Sequence, residues 1–239
     1  DIGINPALSA GVAADTFRNQ LPSTALVSTD INGPRITANV NIGTIETTSG
    51  GMFEAFIYAG RALSNVNIAG SVGTAAAPTT RANVIAAGSR ITSLNVTGNL
   101  NDAFVLAGVV DFGENQRPGG VGPNVDTNQP GTIESGTVGG ATRNVLAGAG
   151  VTPGTDGVYA TLDDRITVGG SSIQTFTVAG AVAATVLIAD SLGAQPGGDA
   201  RFVRLGENTP LTDDRIFNGV GIPGAVVPAG AVGLAFTHQ

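Results

Sequence analysis

The stretch Ile91 to Gly108, ITSLNVTGNLNDAFVLAG, carries the pattern that the rest of the chain repeats. Apolar residues fall at Ile91, Leu94, Val96 and Leu100, Gly98 breaks the run, and a second run, Phe104-Val105-Leu106, closes on Ala107-Gly108. Leu94 and Val96 are two apart, as are Phe104 and Leu106, so each pair lies on one face of a strand. The glycines mark corners, because a residue without Cβ can turn the backbone tightly.

The same frame recurs along the sequence. Ile173, Phe176, Val178, Gly180, Val182, Val186 and Ile188 match it without a gap and end in Ala189-Asp190. Leu63, Val66, Ile68, Gly70 and Val72 begin another copy, and an eight-residue insertion precedes its ending, Val84-Ile85-Ala86-Ala87-Gly88. Ile133, Val138, Gly140, Leu146, Ala147 and Gly148 read as a copy two residues short, with Gly136 at the second apolar position. Ile42, Ile45, Phe56, Ile57, Ala59 and Gly60 give a weaker copy, and a degenerate one runs from Ile216 to Gly230.

A segment of about 20 residues with two short strands cannot bury its apolar face alone, so it must stack on a similar neighbour. The expected fold is therefore all-β, a parallel β-helix or β-solenoid of about five to six irregular turns spaced by roughly 4.8 Å. An antiparallel β-sandwich is the competing reading, since its strands also alternate with turns. It does not require successive units to end in the same x-Ala-Gly.

Residues 1–34 lack the repeat and are expected to form an N-terminal cap or assembly arm. Asn5-Pro6 is placed to start a short helix through Leu8, Val12 and Phe17, and Thr24 to Ile31 could add a strand to a neighbour's sheet edge. The solenoid is assigned to residues 35–230, and residues 231–239 to a C-terminal strand or tail. Long excursions at 109–132, 149–172 and 191–215 are expected to project as loops from one edge. An Arg precedes several strand starts, at Arg35, Arg90, Arg165 and Arg215, and could form a stacked column beside carboxylates.

The 239 residues are 42% hydrophobic, too apolar for a disordered chain, although Gly numbers 36. Only 12% are charged, with 11 basic residues, all Arg, against 18 acidic ones and a pI near 4.5. That balance disfavours nucleic acid, which is bound through clustered Lys and Arg. No Cys exists for a disulfide or a thiolate. The opening at Asp1, without an initiator Met, reads as a mature product after removal of a leader. The apolar stretch 219–236 is broken by Pro223 and Pro228 and is no membrane span.

Chemistry has few candidates. GTDGVYATLDD, residues 154–164, groups Asp156, Asp163 and Asp164, hard oxygen donors of the kind that Ca²⁺ takes, although their spacing is not that of an EF-hand. The bland alternative is a turn at Asp156-Gly157 and solvated carboxylates. His238 is the only His and lies beside the C-terminus, so neither a catalytic residue nor a bound cofactor is assigned. The Gly119–Pro123 run lacks a following helix and Lys, so it reads as a loop. Thr-bearing strands raise an ice-binding surface, but no sustained Thr-x-Thr column appears.

The units ITSLNVTGNLNDAFVLAG and IQTFTVAGAVAATVLIAD and the joint TDGVYATLDDRITVGG resemble the repeats of large secreted bacterial β-solenoid surface proteins, of adhesin-like or extracellular matrix type. The resemblance spans about residues 36–230 and implies a right-handed parallel β-helix exported to the surface. The expected role is a non-enzymatic extracellular structural protein whose subunits self-associate, head to tail, into a fibre or layer. The alternative is an adhesin or carbohydrate-binding module meeting surface polysaccharide.

Overall fold

The computed structural model describes residues 35–74, 82–159, 164 and 170–189. Of Thr16–Arg18, Ala25–Ser28, Ile31–Asn32, Arg165–Ile166, Ser191–Ala194 and Ala200–Arg204 it describes the backbone strands. The described chain is all-β and builds two large sheets whose pairings are parallel throughout. The first sheet runs in the order Thr16–Arg18, Arg35–Ala38, Phe56–Ala59, Asn83–Ala87, Leu100–Ala107, Thr142–Ala149, Val182–Ala189, Ala200–Arg204. The second takes the intervening segments, Ala25–Ser28, Asn41–Thr47, Ala62–Ile68, Arg90–Val96, Gly136–Val138 with Thr132–Ile133, and Ser172–Val178, with Ser191–Ala194 beside the last. The chain thus alternates between the sheets, and each return lands beside the strand laid down before it. Parallel pairing rules out the antiparallel sandwich.

Register follows the sequence frame closely. Ile91 pairs with Leu63 and Ile133, Leu94 with Val66 and Gly136, and Val96 with Ile68 and Val138. Phe104 to Ala107 pair with Val84 to Ala87, so the offset falls from 28 residues in one sheet to 20 in the other, and the eight-residue insertion lies between them. Leu94, Val96 and Phe176 are fully buried, and Val178 is half-buried against the same core. At Gly136 the missing side chain makes room for a ring, since a Cβ there would run into Phe176.

Several expectations are corrected. The copy that begins at Ile133 is not two residues short: Ala107 pairs with Ala149, so the ending is Ala149-Gly150, while Gly148 occupies the place of Leu106 and Ile188. Leu-Ala-Gly at 146–148 imitates the ending one strand position early. The second excursion therefore starts at Val151. The stretch 191–215, read as a loop, contains strands of both sheets, and so does 1–34, where Thr16–Arg18 joins the first sheet and Ala25–Ser28 the second. Ala25–Ser28 thus pairs within its own chain. With these additions the first sheet has eight strands, more than the five to six turns expected.

The Arg column also fails. Arg35 belongs to the first sheet and Arg90 to the second, and Arg165 lies in a separate antiparallel pair with Thr152. Arg35 stacks on Phe56, 3.8 Å from the ring centroid, and donates to the Gln116 carbonyl at 2.7 Å. The start of the expected helix at Asn5, Leu8 and Val12 lies outside the described residues, while Phe17, given as its far end, sits in the strand Thr16–Arg18; Asp163, Arg215, the copy from Ile216, the tail 231–239 and His238 also lie outside the described residues. Among the described residues no helix is long and apolar enough to cross a membrane.

Two glycine columns hold the corners together. Gly50, Gly70, Gly98, Gly140 and Gly180 lie in successive coils, and from Gly70 onward each N–H donates to the glycine carbonyl before it at 2.8–2.9 Å. At the other corner Gly60, Gly88, Gly108 and Gly150 donate to Ala38, Ala59, Ala87 and Ala107 at 2.7–2.8 Å. A Cβ on Gly98 would stand 2.9 Å from the carbonyl carbon of Gly70, and backbone on both sides of that contact is already hydrogen-bonded. Gly98→Ala is therefore expected to destabilise the protein by about 1–3 kcal/mol, whereas Thr137→Ala on the exposed face stays within about 0.5 kcal/mol. Denaturant unfolding of the two variants checks the contrast.

Candidate functional site

The two sheets differ in what lies outside them. Between them sits the main core, with Ile57, Ile85, Val105 and Leu187 facing Leu63, Leu94, Val96 and Phe176. The outer face of the first sheet is apolar as well: Phe56, Val84, Phe104, Leu146 and Val186 form one column and Ala86, Leu106 and Ile188 part of another. These strands are hydrophobic on both faces, which is why they read as unbroken apolar runs. Water cannot be left on such a face, and the first two excursions cover it.

They do so as folded hairpins, not as projecting loops. In the first, Val109–Asp111 pairs antiparallel with Thr127–Asn128, and Gly122–Asn124 forms a 3₁₀ turn between them. Phe112 packs edge-on against Phe56 and Tyr58, with centroids 5.2 and 5.3 Å away, and the Tyr58 hydroxyl donates to the Val110 carbonyl at 2.6 Å. In the second, Val151–Thr152 pairs with Arg165–Ile166, and Tyr159 drops onto Phe104 at 5.8 Å with no exposed surface.

The two excursions meet at a buried carboxylate. Tyr159 donates its hydroxyl to Asp126 Oδ2 at 2.8 Å, and the Gly119 N–H donates to the same oxygen at 2.8 Å. Gly120 N–H also donates to the Gly157 carbonyl at 2.8 Å. Asp126 is 4% exposed, and its Oδ1 has no hydrogen-bond partner. Burial pushes the Asp126 carboxyl up to about 6; the Gly119 and Tyr159 hydrogen bonds oppose that rise, and Asp111 adds to it. Burial also drives Tyr159 well above its ordinary value, with Asp126 next in effect and Asp164 contributing. Tyr58 is raised to about 12 by burial and by Asp111.

The residues singled out from sequence separate in this setting. Asp156 is exposed and accepts the Val158 N–H at 2.8 Å, while Gly157 takes φ +71°, the turn expected of Asp-Gly. Asp164 is fully buried near Tyr159. Among the described residues no three carboxylate or imidazole side chains stand together to hold a metal ion. Asp126 was not foreseen; it is one Asp in a polar loop, and only the fold shows that Tyr159 comes down on it.

Comparison with known protein families, curated proteins and solved structures finds no match to the chain. The chemistry of the site must be read from its geometry. Asp126 and Tyr159 lie sealed beneath the hairpins, and their hydrogen bond fastens one excursion to the other.

That fastening depends on pH in a defined direction. A carboxyl whose value is raised on folding stabilises the folded form below its unfolded value, near 3.8, and the contribution is lost as pH climbs through about 6. The loss amounts to on the order of 3 kcal/mol for a displacement of this size. Asp126→Asn is expected to flatten the stability profile between pH 4 and pH 7, measured by thermal unfolding. Tyr159→Phe removes an opposing hydrogen bond and should raise the Asp126 titration further, as read by carboxyl ¹³C NMR.

Proposed function

We propose that the chain is a right-handed parallel β-helix acting as a non-enzymatic structural subunit that self-associates head to tail at the bacterial cell surface or outside the cell. The observation that carries the reading is that, among the described strands, both ends of the first sheet are left with an unpaired side. Thr16–Arg18 and Ala200–Arg204 each pair on one side only among the described strands. Such an edge presents backbone N–H and C=O groups that another strand can complete. The two ends differ, and a contact joining unlike ends builds a filament unless its rotation closes a ring.

Composition supports the same reading. Lys on an edge strand blocks pairing with foreign strands, and this chain has none. The buried polar groups support a structural role too: Asp126, Tyr159 and Asn83 hold turns and excursions in place, with Asn83 Oδ1 accepting the Ala55 N–H and its amide reaching the Asp102 carbonyl at 3.3 Å.

Electron microscopy and sedimentation test the proposal. Filaments or a concentration-dependent rise in mass are expected, with and without added Ca²⁺. Alternate residues of a parallel edge strand point their N–H groups outward, so of Phe202→Pro and Val203→Pro the one whose N–H faces outward should cut elongation at least tenfold with the melting curve near that of the parent, while the other removes a ladder hydrogen bond to Val182–Ala189 and lowers the melting temperature. A protein that stays monomeric at the highest reachable concentration overturns the reading.

A further inference from the structure

We infer that the groove at the Gly60–Gly88 corner is a binding site for an acidic polysaccharide, a chain bearing carboxylates among many hydroxyls. This goes beyond end-to-end assembly, because the groove opens on the side of the coil stack and would stay accessible in a filament. Its origin lies in the unequal connections between the sheets. After Gly60 the chain enters the second sheet through Arg61, and after Gly88 through Ser89-Arg90. After Gly108 it makes the first excursion and returns at Pro130 to Thr132, raising a wall beside the two short connections.

The resulting groove has a volume of about 660 Å³. Gly43, Ala62 and Ser64 contribute small residues to its lining, together with Arg61, Arg90 and Pro130. Arg61 and Arg90 come from neighbouring coils, since Arg90 pairs in register with Ala62. Arg61 is exposed, and no carboxylate among the described residues pairs with it. Arg90 has Glu134 at 3.4 Å, a half-exposed contact of little strength that a ligand carboxylate can replace. Two guanidinium groups and one carboxylate leave the groove net positive on a chain whose formal charge is −7.

The rest of the lining decides between ligand classes. Asn41, Ser64, Ser89 and Thr132 supply hydroxyl and amide groups, and the lining has no aromatic or large aliphatic side chain. A peptide would find no pocket for an apolar anchor. A polyuronate offers carboxylates to the guanidinium forks and hydroxyls to the small polar residues. Its sugar rings also follow one another at a spacing comparable to the coil rise of roughly 4.8 Å.

Titration calorimetry and amide NMR with polygalacturonate oligomers test the site on the full chain. Binding is expected to weaken steeply with salt, to fall at least tenfold in the Arg61→Ala/Arg90→Ala double variant, and to strengthen severalfold in Glu134→Gln. In the parent protein the amides of Ala62, Ser64, Ser89 and Thr132 should shift on binding. That last measurement does not depend on any variant folding. Equal binding of fully methyl-esterified oligomers, equal binding of polyglutamate, an unchanged double variant, or shifts confined to residues 113–125 would each overturn the inference.

Discussion

Everything in this molecule depends on backbone meeting backbone at its corners. Where Gly98 crosses Gly70, a donor and an acceptor from adjacent coils come within 2.9 Å, with no room for a Cβ between them. The same contact recurs at Gly70, Gly140 and Gly180. Corners of this kind fix how far one coil is shifted against the next, and the strands on either side then have only one register available. In that register apolar residues fall on apolar residues, as Ile45, Val66 and Leu94 do. Side-chain packing is the larger energy, but the glycines decide which packing is reached.

A second constraint follows from the first sheet having two apolar faces. Between the sheets its Ala and branched side chains complete the main core, while outside it Phe104, Leu106 and Leu146 need a cover that a plain stack of coils does not supply. The excursions after Gly108 and Gly150 are that cover. Val109, Phe112, Val151 and Tyr159 supply its apolar contact, and Asp126 ties the two pieces together beneath the surface. The second sheet needs nothing of the kind. Its outer residues, among them Asn65, Asn95, Thr137 and Thr177, are small and polar, and water serves as their cover.

Much of this was legible in the chain. The spacing Ile91, Leu94, Val96 gave the inward face of the second sheet, and the aligned copies gave its register pair by pair. The runs Phe104-Val105-Leu106 and Val84-Ile85-Ala86 also announced strands, but which face each residue took was not decided by a run without alternation. The Ala-Gly ending misled at Gly148, where a glycine lies beneath Val151 and mimics a corner. Thr24 to Ile31 was legible as a strand but not as one that pairs within its own chain, and weakly patterned stretches such as Thr16–Arg18 and Ala200–Arg204 hid strands, because a parallel strand at the end of a sheet needs little periodicity of its own. The site was harder still. Asp126 and Tyr159 are 33 residues apart, and no local pattern records a contact that two long excursions make with each other. Arg90 lay in view as a strand start, yet the groove it shares with Arg61 depends on the return of the chain at Pro130.

The positive φ angles add one further consequence. Glu54, Asp102 and Asn144, at φ 47°, 47° and 56°, each sit two residues before an outward apolar residue, Phe56, Phe104 and Leu146. Asp102 and Asn144 are linked in turn, the amide donating to the carboxylate at 3.0 Å. Three of the coils thus carry the same kink, and in two adjacent ones the kinks are tied to each other. Apart from the excursions, which reach across several layers, cohesion passes from one layer to the next, so a gene encoding such a chain can gain or lose a layer beyond them by duplication or deletion without disturbing those far away. The length of the object is then open to selection separately from its cross-section.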